Sequence, residues 1–266
     1  MLKCQLCLKE KQAEEICNSH LLPEFAFSLA YDEKHRVVAI SEDKKQKTEI
    51  LQKGVREKLL CKDCESVVSE WEGTLSIVLR SIREQVNKKG ITVAPRRIGG
   101  ADCWVVSGID YNNFKLGVLS IIWRFSISRL DRFREYSLGP HQKRIRKILL
   151  QGNAGNKLDY GIQMYELMHG GKVLDDLIIV PPDEIKVFGH NCSRFAFGGF
   201  FFVVFISKHD IPEKHQLLML EGGVDFIVVK QEIGEAELFT VLSKNIYSRD
   251  DYERYGNILK GNFKDK

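Results

Sequence analysis

The sequence has little net charge and no long uncharged apolar run, and both absences narrow the functions to consider. Lys and Arg outnumber Asp and Glu by only 40 to 36, so a field over the whole molecule that attracts nucleic acid is not expected. Any nucleic-acid contact needs a local basic patch. The apolar stretch 114–130 contains Lys115, Arg124 and Arg129. The stretch 195–206 is too short for a membrane-spanning helix, so we expect no membrane insertion.

An apolar segment near the first residue, an internal repeat and a low-complexity block are also missing. The start is polar, so we expect no signal peptide and a cytoplasmic protein. The seven cysteines include two Cys-x-x-Cys pairs. An odd number of cysteines with paired spacing is typical of metal binding in a reducing compartment rather than of a disulfide framework.

The apolar pattern predicts an α+β fold in two domains. Residues 1–90 would form a small zinc-bound domain that closes with a helix over about 66–90, with Gly90 as its end. Residues 91–266 would form a larger α+β domain with a mostly antiparallel sheet and an unknown role. Helices are predicted over 111–130 and 140–151, and a loose tail over 256–266. Strands are predicted within 91–95, 102–109, 172–180, 184–189, 194–207, 216–222 and 224–229.

The two cysteine pairs predict one structural zinc site. Each pair presents two thiolates from a tight turn, and two pairs complete a tetrahedral site. Four free thiols and a redox dithiol stay open as alternatives, and Cys17 as a competing ligand. Cys17, Cys103 and Cys192 are all expected in the core as the first interpretation. The predicted ligands are Cys4, Cys7, Cys61 and Cys64.

The residues around the cysteine pairs carry a second pattern. Ser19-His20-Leu21-Leu22-Pro23 follows the first pair, and Leu60-Cys61-Lys62-Asp63-Cys64-Glu65 contains the second. This arrangement resembles the zinc-containing branch of the HNH (ββα-metal, or His-Me finger) endonucleases. That branch has Cys-x-x-Cys, an acidic residue before His-Ile-x-Pro, and Leu-Cys-x-x-Cys-His on the closing helix. The resemblance covers residues 1–72. Two longer segments, 19–61 and 114–141, also resemble a group of bacterial proteins with no assigned activity.

The HNH resemblance implies a ββα-type fold and roles for three residues. His20 would be the general base, and Glu65 stands where the family has a metal-binding His or Asn. Ser19 replaces the usual Asp or His. The family's central Asn would fall near Arg56 or Glu57 and is not present. The resemblance implies a catalytic Mg²⁺ or Mn²⁺ ion beside the structural Zn²⁺. A structural role stays open for His20, and a helix-dipole role for Glu65.

Charged residues in the second part allow two further predictions. A buried Arg124 would pair with a carboxylate or line an anion pocket. The basic cluster in the helix over 140–151 is the best candidate for nucleic-acid contact, and a solvated face is the alternative. That cluster consists of Lys143, Arg144, Arg146 and Lys147.

Two functions follow from these observations. The first is a metal-dependent HNH-like endonuclease, which by analogy would act in phage or mobile-element defence. The second is a non-catalytic, zinc-stabilised module that binds nucleic acid or protein. Nucleic acid is the expected partner, and residues 91–266 are a second candidate surface for a protein partner.

Overall fold

The computed structural model describes residues 1–39, 49–51, 53–206 and 211–234, and it shows an α+β protein. The N-terminal part has short strands and two helices. Its elements are β1 (Leu2–Lys3), β2 (Glu10–Lys11), a 3-10 turn (Ala13–Glu15), β3 (Ile16–His20), α1 (Glu24–Phe27), β4 (Val37–Ala39), β5 (Glu49–Leu51), β6 (Arg56–Cys61) and α2 (Lys62–Glu84). The pairs β1–β2, β3–β6 and β4–β5 are each antiparallel.

The pair β3–β6 and the helix after it position the candidate site. Ile16 lies opposite Cys61, and His20 lies opposite Arg56. Because α2 starts directly after Cys61, the second cysteine pair spans the junction between a strand and a helix. The result is a two-stranded antiparallel sheet followed by one long helix.

Helix α2 buries one apolar stripe. Trp71, Leu75 and Val78 lie at helical spacing on its buried face, and acidic residues in the first turn suit the positive end of the helix dipole. The predicted boundaries 66–90 differ from the structure at both ends, since α2 begins at Lys62. The helix ends at Glu84, because Gln85 adopts a left-handed conformation with φ of 53° and donates its N–H to Ile82 O.

The C-terminal part is built on one large sheet. Its elements are β7 (Thr92–Ile98), β8 (Ala101–Ser107), α3 (Tyr111–Ile127), a 3-10 turn (Asp131–Phe133), α4 (His141–Gln151), β9 (Ile162–His169), β10 (Lys172–Val173), β11 (Ile179–Val187), β12 (His190–Phe197), β13 (Phe200–Phe205), α5 (Glu213–Gln216) and β14 (Phe226–Glu232). The strand order is β11-β12-β13-β9-β14-β8-β7, and β10 pairs with β9. Only the β14–β9 pair is parallel among these strands, so the predicted mostly antiparallel sheet is confirmed.

The Phe-rich run predicted as one strand over 194–207 forms a hairpin within its described residues, 194–206. Gly198 and Gly199 have φ of 61° and 86°, and they make the turn between Phe197 and Phe200. Two consecutive residues with positive φ are what a tight two-residue hairpin requires. The Gly-Gly pair therefore splits the apolar run into β12 and β13.

The predicted strand over 216–222 was wrong. Gln216 ends the short helix α5, and Met219 N–H donates to Gln216 O in the turn that follows. Met219 and Leu220 are buried although they lie in no strand. The apolar run therefore signals burial under a loop rather than strand pairing. The predicted tail over 256–266 lies outside the described residues.

One apolar core takes residues from both parts of the chain. Helices α2 and α3 pack closely, since a Cβ added at Gly117 of α3 would lie 3.1 Å from Trp71 O. The other face of α3 lies on the sheet, where Phe114 contacts Phe226 edge to face. The division into two domains at residue 90 stays a prediction. Within the described ranges, no helix is both long and apolar enough to cross a membrane.

Candidate functional site

Four cysteine sulfur atoms meet at the junction of β6 and α2. The Sγ atoms of Cys4, Cys7, Cys61 and Cys64 all lie within 4.8 Å of one another. The Sγ atoms of Cys7 and Cys61 are 3.9 Å apart. Tetrahedral zinc with Zn–S bonds of ~2.3 Å places its sulfur ligands about 3.8 Å apart. The cluster therefore has the donors and the spacing to hold a metal ion such as zinc.

The local backbone explains why these sulfur atoms converge. Leu8 N–H donates to Cys4 O at 2.9 Å, and Leu8 has φ of 61°, so the first pair lies on a tight turn. Cys61 N–H donates to Cys4 Sγ at 3.3 Å. Cys64 follows in the first turn of α2. Strand pairing and helix start thus bring together pairs that are far apart in sequence.

The cluster is crowded for thiols without a cation. Burial raises the pKa of the Cys64 thiol, and the neighbouring Cys4 and Cys61 raise it further. A bound cation removes this penalty, because a metal ion stabilises thiolates outright. Cys17 is half-buried and outside the four-sulfur cluster. In the part of the chain that the structure describes, no other group of three or more His, Cys, Asp and Glu side chains could hold a metal ion.

Ser19 and Glu65, predicted as site residues, are in direct contact. Ser19 is fully buried in β3, and its hydroxyl donates to Glu65 Oε2 at 2.6 Å. Glu65 is half-buried and lies in the first turn of α2, directly after Cys64. The same strand–helix junction that forms the sulfur cluster therefore also fixes the Glu65 carboxylate beside β3.

His20 occupies the last position of β3, next to Ser19. Its Nε2 atom lies 2.5 Å from Glu24 Oε2 and is shielded from solvent. At this distance the imidazole and the carboxylate interact strongly by electrostatics. Arg56 Nη2 approaches the same oxygen at 3.4 Å, and Tyr31 donates to Glu24 Oε1 at 3.2 Å. The imidazole is therefore held from one side by a fixed carboxylate.

The surroundings favour a neutral His20. Burial lowers the pKa of His20 and the Arg56 guanidinium lowers it further, while the Glu24 carboxylate acts in the opposite direction. A neutral imidazole at neutral pH has one nitrogen free to accept a proton. The Glu24 oxygen beside Nε2 favours the tautomer with its proton on Nε2, in which Nδ1 is the acceptor.

Glu24 and Arg56 were not predicted as members of this site. Glu24 begins α1 four residues after His20 ends β3, and Arg56 lies opposite His20 across β3 and β6. The short separation of Glu24 from His20 was visible in the sequence. The pairing of Arg56 with His20 depends on the register of β3 and β6.

The predicted basic cluster on α4 divides into two groups. Lys143, Arg144 and Lys147 are exposed, as a nucleic-acid contact requires. Arg146 is half-buried, and its Nη1 donates to Leu6 O at 2.7 Å. Arg146 therefore connects α4 to the turn that carries the first cysteine pair.

Arg124 pairs with a carboxylate, as expected for a buried arginine. Its side chain is 1 % exposed, and Nη2 lies 2.5 Å from Glu72 Oε1.

Comparison of the chain with protein-family models, with curated proteins and with solved structures gave no match.

Proposed function

We propose that the chain is an HNH-like endonuclease that hydrolyses phosphodiester bonds, with a structural zinc ion in the four-cysteine cluster. The contact between Ser19 and Glu65, 2.6 Å long, carries the proposal. It joins a carboxylate at the start of a helix to the residue next to His20. The resemblance to the HNH endonucleases implies that His20 is the general base and that Glu65 is at the metal-binding position.

In the proposed reaction, His20 is the general base. Glu24 holds the Nε2 side of the ring, so Nδ1 accepts a proton from water. The water oxygen forms a bond to phosphorus, the bond from phosphorus to one sugar oxygen breaks, and that oxygen takes a proton from solvent. Arg56 provides positive charge near His20.

A catalytic Mg²⁺ or Mn²⁺ ion would be held by Glu65. Magnesium sites often use one or two carboxylates with water and substrate phosphate, so a single carboxylate is compatible with this role. When bound, such an ion stabilises negative charge on the phosphate. Ser19 is buried and already donates to Glu65, so its role is to orient the carboxylate.

The substrate of the proposed enzyme is nucleic acid. The exposed Lys143, Arg144 and Lys147 would contact its phosphates, since basic side chains supply most of the sequence-independent affinity. A cytoplasmic role in defence against phages or mobile elements rests on analogy with other HNH proteins.

The decisive experiment is cleavage of plasmid DNA and structured RNA by zinc-loaded protein, with Mg²⁺, with Mn²⁺ and with neither. We expect His20→Gln to lower the cleavage rate by about 10²–10⁴-fold, the usual contribution of a general base. Glu65→Gln should lower it as well. His215→Gln is the matched control, because His215 lies on α5 and stacks on Phe188. Cleavage that survives His20→Gln unchanged would contradict the proposal.

A non-catalytic binding module is the second candidate. Its support is the shielded Nε2 of His20 and the buried Ser19, which also suit a purely structural network. If the chain is such a module, labelled DNA or RNA should bind to it without being cleaved. His20→Gln would then leave binding unchanged, and replacement of Lys143, Arg144 and Lys147 by Gln would weaken it in a salt-dependent way. Fluorescence anisotropy at two salt concentrations measures both effects.

A further inference from the structure

Arg124 of helix α3 is buried and contacts the candidate site. Arg124 is 1 % exposed, and it lies in a helix whose neighbouring side chains are apolar. A guanidinium at such a position needs hydrogen-bond acceptors for its N–H groups. The groups that accept hydrogen bonds from Arg124 therefore identify the parts of the chain that it positions.

Two of these acceptors belong to the N-terminal part. Arg124 Nη1 donates to His20 O at 2.6 Å, and Nη2 donates to Glu72 Oε1 at 2.5 Å. The other acceptors are local, since Nε donates to Ser120 O and Nη2 also approaches Ser120 Oγ. The guanidinium thus joins α3 to the end of β3 and to α2.

The contact falls where strand pairing ends. His20 is the last residue of β3, and the next backbone contact on this side is from Leu21 N–H to Val55 O. A strand end has fewer ladder hydrogen bonds to fix it than a strand interior has. The charge-assisted hydrogen bond from Arg124 to the carbonyl of His20 compensates for this loss.

We infer that Arg124 is a positioning residue for His20, through which the C-terminal part sets the orientation of the proposed general base. The inference rests on the proposed function for the meaning of that orientation. A lysine cannot replace the arginine fully, because one ammonium group does not present a planar fork toward a carboxylate and a carbonyl at once. The charged groups around His20 are Glu24 on α1, Arg56 on β6, Glu72 on α2 and Arg124 on α3.

The test observes His20 directly. The full chain, loaded with zinc and labelled in its histidines, gives imidazole resonances for seven histidines, and His20→Gln identifies the His20 signal by its loss. In Arg124→Met, we expect the His20 resonances to shift more than those of the other histidines at the same pH. Arg124→Lys should give a smaller shift in the same direction. Arg194→Met is the control, because it removes an arginine paired with Asp183 on β11, in the large sheet.

Two outcomes overturn the inference. One is a folded, zinc-loaded Arg124→Met protein whose His20 resonances stay at the parent position. If Arg124→Met does not fold, unchanged His20 resonances in Arg124→Lys have the same meaning. If the parent protein cleaves nucleic acid, we also expect kcat of Arg124→Met to fall about tenfold while its KM stays within about twofold of the parent value. This is the pattern for an interaction used in the transition state. A parent that does not cleave would end the proposed function, whereas the resonances would still decide the role of Arg124.

Discussion

Single residues at the strand–helix junction act in pairs. Ser19 was a doubtful metal ligand in the sequence, and the structure shows its hydroxyl donating to Glu65. The buried hydroxyl thereby fixes the orientation of the Glu65 carboxylate. The imidazole of His20 likewise contacts the Glu24 carboxylate, which Arg56 also contacts. At this scale, the chemistry of a side chain follows from which neighbour uses its polar atoms.

The first prediction at this scale concerns the metal. Cys61→Ser should reduce the bound zinc from about one ion per chain to a small fraction, because a hydroxyl is a much weaker zinc ligand than a thiolate. Cys17→Ser should keep its zinc, since Cys17 lies outside the four-sulfur cluster. Elemental analysis by mass spectrometry after gel filtration measures both. Loss of zinc from Cys17→Ser would show that the ligand set is different.

The second prediction concerns the backbone behind His20. A Cβ added at Gly54 would lie 2.7 Å from Phe27 Cε2 and 3.2 Å from His20 Cδ2. Gly54→Ala should therefore destabilise the protein by ~1–3 kcal/mol through overpacking. Gly73→Ala is the matched control, because Gly73 lies in α2 with nothing within 4 Å of the added atom. It should stabilise by up to ~1 kcal/mol. Urea unfolding at constant zinc gives both values, and equal effects would contradict the contact at Gly54.

At the scale of elements, tight hairpins and one long helix determine the architecture. The hairpin β12–β13 turns at Gly198 and Gly199, and the hairpin β11–β12 turns at Phe188 and Gly189. Helix α2 carries Cys64 of the four-cysteine cluster at its start and the apolar stripe of the shared core along its length. The elements thus connect the four-cysteine cluster to the sheet without a separate linker.

The third prediction compares the two hairpins. Gly199 and Gly189 are the second residues of their turns, with φ of 86° and 83°. Alanine at either position pays for a positive φ, about 1–2 kcal/mol. At Gly199 the added Cβ would also lie 2.6 Å from Val173 Cγ1, whereas nothing lies within 4 Å at Gly189. Gly199→Ala should therefore lower the free energy of unfolding by ~1–3 kcal/mol more than Gly189→Ala. Equal losses in urea unfolding would argue against the contact with Val173.

For the whole molecule, the N-terminal part and the large sheet share one core. Arg124 and Arg146 also donate to backbone carbonyls of His20 and Leu6. In addition, Glu57 of β6 accepts hydrogen bonds from Ser128 Oγ and from Arg129 N–H. These polar connections, the Arg124–Glu72 ion pair and an apolar interface thus hold the four-cysteine cluster against α3 and α4.

The fourth prediction is a single cooperative unfolding transition. Because the two parts share buried surface, peptides from α2 and from β12–β13 should lose hydrogen-exchange protection at the same urea concentration. Hydrogen-exchange mass spectrometry across a urea series measures this for the zinc-loaded chain. Two separated transitions would instead support independent domains divided at residue 90.

Features that depend on local pattern could be predicted before the fold was known. The spacing of the cysteines predicted the four-cysteine cluster, Gly152 predicted the end of α4, and the apolar runs predicted several strands of the large sheet. Strand register, burial under a loop and contacts between distant segments depend instead on the folded chain as a whole. Glu65 meets Ser19, Arg56 faces His20, and Arg124 reaches the carbonyl of His20 because strands pair and helices pack across long separations. Local periodicity does not predict these contacts, since they depend on how the whole chain buries its apolar surface.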